Sequence, residues 1–271
     1  MKVIYILGSG HCGSTLLDLL LGAHSKIFGA GEIHIIEEDK VKCTCGRKVR
    51  NCEFWSNIKN VPNQLKIYRR KGSFLFNLDD FFHVKDNNEI TESKFLKKNE
   101  NLLEEISNKS ESEVIIDSSK SVNRLEIIKK SDEIEPFLIH LVRDGQANSW
   151  FYIRKYKKFF PYIFTWFFTN LKIEVSKIRF GGKKITVKYK DLALEPEKTI
   201  KYILNELGLE FEEEMFDFKN EDQHQVGGNR MKFQEDSKIY FDEKWRKEMP
   251  LWQRVFFNVF FGWLNLYYKL I

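Results

Sequence analysis

The stretch that most constrains this 271-residue chain is Gly8-Ser9-Gly10-His11-Cys12-Gly13-Ser14-Thr15. It follows Val3 to Leu7, a compact apolar run rich in β-branched residues, and leads at once into Leu16 to Leu21, a helix-forming stretch. A strand, a glycine turn and a helix in that order gather backbone N–H groups and the positive end of a helix dipole around one anion. Ser14 and Thr15 add hydroxyl donors. The spacing follows G-x-x-x-x-G-K-[ST] with Ser14 where the lysine belongs, which argues against nucleoside triphosphate hydrolysis. Cys12 reads as a small turn residue. His11 stands within reach of a bound phosphate or its leaving group.

Similar apolar runs recur at Glu113 to Asp117, Pro136 to Val142 and Ile185 to Tyr189, none with strict alternation, as expected of parallel strands buried on both faces. Helical periodicity lies between them. Phe95, Leu102, Leu103 and Ile106 share a face, as do Val122, Leu125 and Ile128; Pro196 opens a third helix, with Ile200, Ile203, Leu204 and Leu207 on one side and Gly208 as its stop. The pattern predicts an α/β fold, a P-loop-like central parallel sheet flanked by helices on both faces, in a single domain over 1–271. Residues 59–92 and 210–250 read as excursions from the sheet. The first apolar run is too short for a signal peptide or a membrane span, so the expected compartment is the cytoplasm. A net charge of +5 favours an anionic ligand or membrane surface without demanding a polynucleotide, and no nucleic-acid partner is expected.

Two further strand ends fall where ligands of open α/β sheets collect. After the second run come Asp117-Ser118-Ser119-Lys120, and after the third Arg143-Asp144-Gly145. Lys120 would bring a positive charge, Arg143 a bidentate grip on phosphate, and Asp117 a Walker-B-type metal ligand. All four cysteines lie in the first 52 residues, which is a local arrangement and not a disulfide framework. Cys43, Cys45 and Cys52 suit either zinc, with a fourth ligand such as His34, or a disulfide; no four-ligand closure is visible. Aromatic residues make up 15% of the chain, concentrated in Tyr156 to Phe168 and in a C-terminal helix at about 251–271. Both segments read as core helices or as lipid-surface helices; Asn258, Gly262 and Asn265 interrupt any span in the second.

Taken together, Gly8 to Leu17, His24, Gly31-Glu32, Asp117 to Lys120, Val142 to Gly145, Tyr189 to Leu192 with Pro196, and His224 to Arg230 resemble the PAPS-dependent sulfotransferases, closest to their bacterial branch and to the tyrosylprotein and carbohydrate enzymes. The resemblance implies that Ser9, Gly10, His11, Cys12, Gly13, Ser14 and Thr15 cradle the 5′-phosphosulfate of 3′-phosphoadenosine 5′-phosphosulfate (PAPS). It implies that Arg143 and a serine hold the 3′-phosphate, beneath a flap carrying Gly228, Asn229 and Arg230. Two departures stand out. His11 replaces the family's Arg or Lys, and Phe151 stands where the serine is usual, which leaves Ser149 to take that role. The resemblance makes Glu32 the base that takes the acceptor's proton, puts Lys120 on the bridging oxygen of the donor, makes the loop of Cys43, Cys45 and Cys52 a structural clip near the acceptor entrance and calls for no metal; without it, Glu32 reads as a helix-cap glutamate, with His34 as a second candidate base.

The expected function is therefore transfer of sulfonate from PAPS to a hydroxyl on a carbohydrate, lipid or other small molecule, yielding PAP, with peripheral membrane association as a further expectation. Two other readings remain: a P-loop kinase using ATP, Mg²⁺ and Asp117, and a noncatalytic protein that binds an anion and a membrane.

Overall fold

A computed structural model describes residues 1–59 and 89–270 of the chain. Its centre is a five-stranded sheet of β1 (Lys2–Leu7), β2 (Ile27–Gly29), β3 (Val114–Asp117), β4 (Glu135–Val142) and β5 (Lys184–Lys188), ordered β2-β3-β1-β4-β5. Every pairing is parallel. Because side chains alternate along a strand, β1 sends Val3, Tyr5 and Leu7 into one apolar layer and Ile4 and Ile6 into the other, all fully buried. An unbroken hydrophobic run serves that position better than an alternating one.

Helices cover both faces, as the sequence implies. One layer holds α1 (Ser14–Leu21), α6 (Tyr189–Leu194) and α7 (Pro196–Leu207); the other holds α2 (Glu89–Ser110) and α3 (Val122–Ile128). Gly208 ends α7 at φ +75°, the left-handed stop expected of it. Tyr189 opens α6 and does not extend β5. The excursion expected at 59–92 falls largely on residues 60–88, outside the described residues, and α2 begins at its end. That at 210–250 contains short 3-10 turns and the one-turn helix α8 (Trp245–Glu248).

The aromatic segments become α5 (Phe160–Arg179), which follows α4 (Gly145–Tyr156), and the C-terminal α9 (Leu251–Tyr267). Their facing sides form a third apolar cluster with Trp166, Phe257, Phe261 and Leu264. Asn265 is buried because it works at a helix start: its Oδ1 accepts from the Gly145 amide at 3.0 Å, and its Nδ2 donates to Asp144 Oδ2 at 2.9 Å. Asn258 Oδ1 accepts from Gln146 at 3.0 Å. The polar interruptions of α9 therefore fasten it to the start of α4. Its outer face is different, with Trp252, Val255, Val259, Phe260, Trp263 and Leu266 all at least half exposed. Among the described residues no helix is long and apolar enough to cross a membrane.

Asp117 ends β3 without any exposure. Its Oδ2 pairs with Arg124 Nε at 2.8 Å and its Oδ1 accepts from the Ser119 amide at 2.9 Å, so both oxygens are committed inside the fold. Replacing Arg124 by Met would leave that carboxylate unpaired in the core, at a cost of about 3–5 kcal/mol. Urea denaturation should show the unfolding free energy in water falling by that amount, through a lower midpoint at unchanged slope, and a loss below about 1 kcal/mol would mean the pair is not buried as described.

Candidate active site at the sheet edge

Chain order places the loops after β1, β3 and β4, and the start of α6 after β5, at one edge of the sheet. Beside β1 the strand order reverses, where crevices of open α/β sheets form. Here a cavity of about 530 Å³ opens, of nucleotide size. The glycine loop forms its floor. Gly8 packs so closely under β4 that an added Cβ would lie 2.6 Å from the Leu141 carbonyl oxygen. Gly13 has φ +104° against the Tyr189 ring, a conformation that side chains disfavour, and from it α1 starts with Ser14 and Thr15 at the cavity. The first amides of α1 have no acceptor within the helix and lie at this end of the cavity.

Gly10, His11, Gly13, Ser14 and Thr15 all line the cavity. Ser9 and Cys12 do not: both are buried, and the Cys12 amide donates to the Ser9 carbonyl at 3.2 Å, which makes them the inner turn of the loop. Asn148 fixes that turn from α4 by donating to the Gly10 carbonyl at 2.7 Å.

Lys120 and Glu32 meet at the opposite wall. Lys120 has a positive φ of +57°, unusual for a side-chain-bearing residue and characteristic of functional sites. Its Nζ reaches Glu32 Oε1 at 2.5 Å, the Ser118 carbonyl at 3.0 Å and Ser14 Oγ at 3.3 Å. Glu32 follows Gly31, whose φ of +77° allows the backbone of Val226 to pass within a distance that any Cβ would block. The Glu32 amide donates to the Val226 carbonyl at 2.7 Å. The helix-cap reading of Glu32 fails, because its carboxylate makes no cap bond and faces Lys120 instead.

Arg143 lies with its guanidinium 4.5 Å over the Tyr189 ring and donates to the His11 carbonyl at 3.0 Å. Its Nε is buried and has no hydrogen-bond partner among the described residues. Phe151, Tyr152 and Tyr189 give the cavity aromatic walls, while Lys238, Tyr240 and Asp242 close it from the 210–250 segment; these last three have no local sequence signal for a site. The glycine-rich segment that follows Val226 reaches the start of α1. Gly228 packs on Thr15, and the Asn229 amide donates to Thr15 Oγ1 at 2.9 Å.

Two assignments are corrected. Ser149 is fully buried and turns its hydroxyl to the Tyr162 carbonyl at 3.4 Å, on the α5 side of α4, so it does not reach the cavity. Phe151 occupies the wall there, its ring tilted 34° against that of His11 with centroids 3.6 Å apart. Arg230 is exposed and lies outside the lining, because the turn after Asn229 carries it outward. His24 is structural: it is buried, accepts the Lys26 amide at Nδ1 and holds the Glu210 carbonyl at Nε2. His34 lines a separate cavity of about 290 Å³, which shares Lys120 with the first.

A family model described as the sulfotransferase family matches residues 4–213, and the chain belongs to that family. The fold is similar to the sulfotransferase domain from the Synechococcus PCC 7002 olefin synthase, with TM-score 0.60 and 20% identity over 97% of this chain and 94% of that one. It is also similar to the sulfotransferase domain from the curacin biosynthetic pathway, with TM-score 0.58 and 16% identity over 92% of each chain. Among curated proteins no sequence matches the chain.

His11 departs from a basic residue in charge as well as in kind. Burial, then the positive charges of Arg143, Lys120 and Lys155, lowers its pKa from 6.5 to about 4. The folded protein thus binds fewer protons than the unfolded chain between those values, so His11 withdraws stability as pH falls from 6.5 toward 4. An NMR titration of the free protein should find the imidazole neutral at pH 7 with a midpoint near 4; a midpoint at 6.5 would place the ring in solvent instead.

Proposed function

We propose that this protein transfers the sulfonate group of PAPS to an acceptor hydroxyl, with PAP as the second product. The observation that supports this most is the meeting of Lys120, Glu32 and Ser14 at the mouth of the glycine loop, with Arg143 further along the same edge. A phosphosulfate set on the loop amides and on the Ser14 and Thr15 hydroxyls would present its sulfur toward Glu32. The acceptor oxygen forms a bond to sulfur as the bond from sulfur to the 5′-phosphate oxygen breaks. Glu32 takes the acceptor's proton, and Lys120 neutralises the charge that develops on the departing phosphate.

The Lys120–Glu32 ion pair gives this sequence of events an order. With the cavity free, the ammonium is held by the carboxylate; a donor oxygen competes for Lys120 and leaves Glu32 able to receive a proton. Sulfonate carries less charge than a transferring phosphoryl group, so amides and cations suffice at the reacting centre. The aromatic walls suit a nucleoside base, and the Arg143 guanidinium suits the ribose-side phosphate. The smaller cavity beyond Lys120, with His34, Thr169 and Ile173 in its lining, is the proposed approach of the acceptor. A kinase reading is weakened by Asp117, the Walker-B candidate, since Arg124 and the Ser119 amide occupy its oxygens.

Glu32→Gln should cut turnover by roughly 10²- to 10⁴-fold while PAP affinity, measured by calorimetry, changes little. Turnover that survives the substitution overturns the assignment of the base, and binding of ATP·Mg²⁺ in place of PAP overturns the donor.

Peripheral membrane association is proposed from the outer face of α9, where exposed Trp252, Phe260 and Trp263 stand beside basic residues such as Arg254. Flotation with anionic vesicles should carry the protein upward, and a Trp252→Ser, Phe260→Ser, Trp263→Ser variant should stay at the bottom; flotation unaffected by the three changes would remove α9 from the contact.

A further inference from the structure

Outside the donor cavity, the cysteine cluster is closed by a residue far away in the chain. Cys43 and Cys52 Sγ lie 3.5 Å apart, and His224 Nδ1 lies 3.6 Å from the first and 3.3 Å from the second. With Cys45, the four ligand atoms all fall within 4.8 Å of one another. Four atoms at the corners of a tetrahedron around zinc, at ordinary Zn–S and Zn–N lengths, stand about 3.8 Å apart for two sulfurs and about 3.6 Å for sulfur and nitrogen. All four cysteines are free thiols.

We propose that Cys43, Cys45, Cys52 and His224 form a structural zinc site, with three thiolates and one imidazole filling all four positions. Binding releases the three thiol protons and leaves the site with one net negative charge. A closed set of soft ligands favours zinc over magnesium or calcium and leaves no open position for catalysis.

The surroundings are built for this. Gly46, at φ +83°, donates its amide to the Cys43 carbonyl at 3.0 Å, which folds Cys43-Thr44-Cys45 into a tight turn with both thiols on one side. On the other side of His224, Nε2 lies 3.3 Å from Asp222 Oδ1, so the carboxylate fixes the tautomer that presents Nδ1 to a metal. Phe54 stacks on the imidazole at 5.4 Å and Trp55 Nε1 donates to the His224 carbonyl at 2.5 Å, so the ring is held from three directions. The buried Lys232 ammonium binds the carbonyls of Lys42 and Gly227, one residue before Cys43 and three after His224, and supplies a positive charge next to the anionic centre.

The site's purpose follows from what it joins. His224 belongs to the segment whose Val226 bridges Gly31 and Cys43, accepts from the Glu32 amide and leads directly to Gly228 and Asn229 on Thr15. Zinc would thus clamp the 41–58 loop to the flap and hold Glu32 from behind. The correction to the sequence expectation is specific: His224, and not His34, stands at the fourth corner.

The full chain, purified in reductant from zinc-supplemented cells, should carry one zinc per molecule by elemental analysis. It should bind Co²⁺ with the absorption of a tetrahedral thiolate complex. Cys52→Ser should lose the metal, and His224→Cys should keep it. Because Cys45 and Asp222 are exposed, their variants test the site without disturbing the core: Cys45→Ser should weaken zinc, and Asp222→Asn should lower affinity roughly 10- to 100-fold. Chelation should lower Tm and speed hydrogen exchange at the Glu32 and Val226 amides, readouts independent of any sulfonate donor. A folded wild-type chain that carries no metal and takes up none, or a Cys43–Cys52 disulfide found by mass spectrometry in that chain, would overturn the proposal.

Discussion

Everything at the working edge of this molecule depends on how closely backbone can approach backbone. Gly8 beneath Leu141, Gly13 against Tyr189 and Gly31 beside Val226 each occupy a place where a single methyl group would collide. The first two bring the loop and the start of α1 to the cavity. The third lets the Val226 segment lie along Glu32 and receive its amide hydrogen. Electrostatics then act on a scaffold already fixed by sterics: Lys120 pairs with Glu32, Arg143 rests on an aromatic face, and neutral His11 is wedged beside Phe151. A shift of the glycine turns by one atom's width would displace all three.

The sheet was legible because parallel strands buried on both faces leave continuous apolar runs, and β1, β3 and β4 carry one; β5, at the sheet edge, instead alternates buried Ile185 and Val187 with exposed Lys184 and Thr186. β2 left no such trace, being only Ile27–Gly29, one of its three residues a glycine. The glycine loop, Lys120 and Arg143 were legible for a related reason: each follows a strand within a few residues, and topology alone carries them to one edge. Ser149 failed because spacing along a helix does not reveal which side of the helix faces a cavity; two residues before Phe151 is a rotation of roughly half a turn. His224 was invisible to local reasoning, since 181 and 172 residues separate it from Cys43 and Cys52. Lys238, Tyr240 and Asp242 share that difficulty, having no periodicity and no motif, only a place in the folded chain.

The polar residues of α9 show how one side chain can serve two demands. Asn265 looked like a break in an apolar helix, but its amide bonds both the Gly145 N–H and Asp144 at the start of α4, satisfying groups that would otherwise be buried unpaired. Asp144 directly follows Arg143, so the C-terminal helix steadies the strand end from which the site's arginine projects. Trp166 contributes from α5 by donating to the Arg143 carbonyl at 3.1 Å. The aromatic layer is thus mechanically continuous with the sheet edge.

The lateral joining of Val226 to Gly31 and Cys43 has a bearing on biogenesis. During synthesis the early strands and the glycine turn are made long before the segment that shuts them in, and closing so wide a ring of chain carries an entropic cost that grows with the logarithm of its length. A nascent polypeptide therefore acquires its sheet while the wall behind Glu32 is still missing, and the assembly of a competent pocket is tied to the arrival of the last sixth of the molecule.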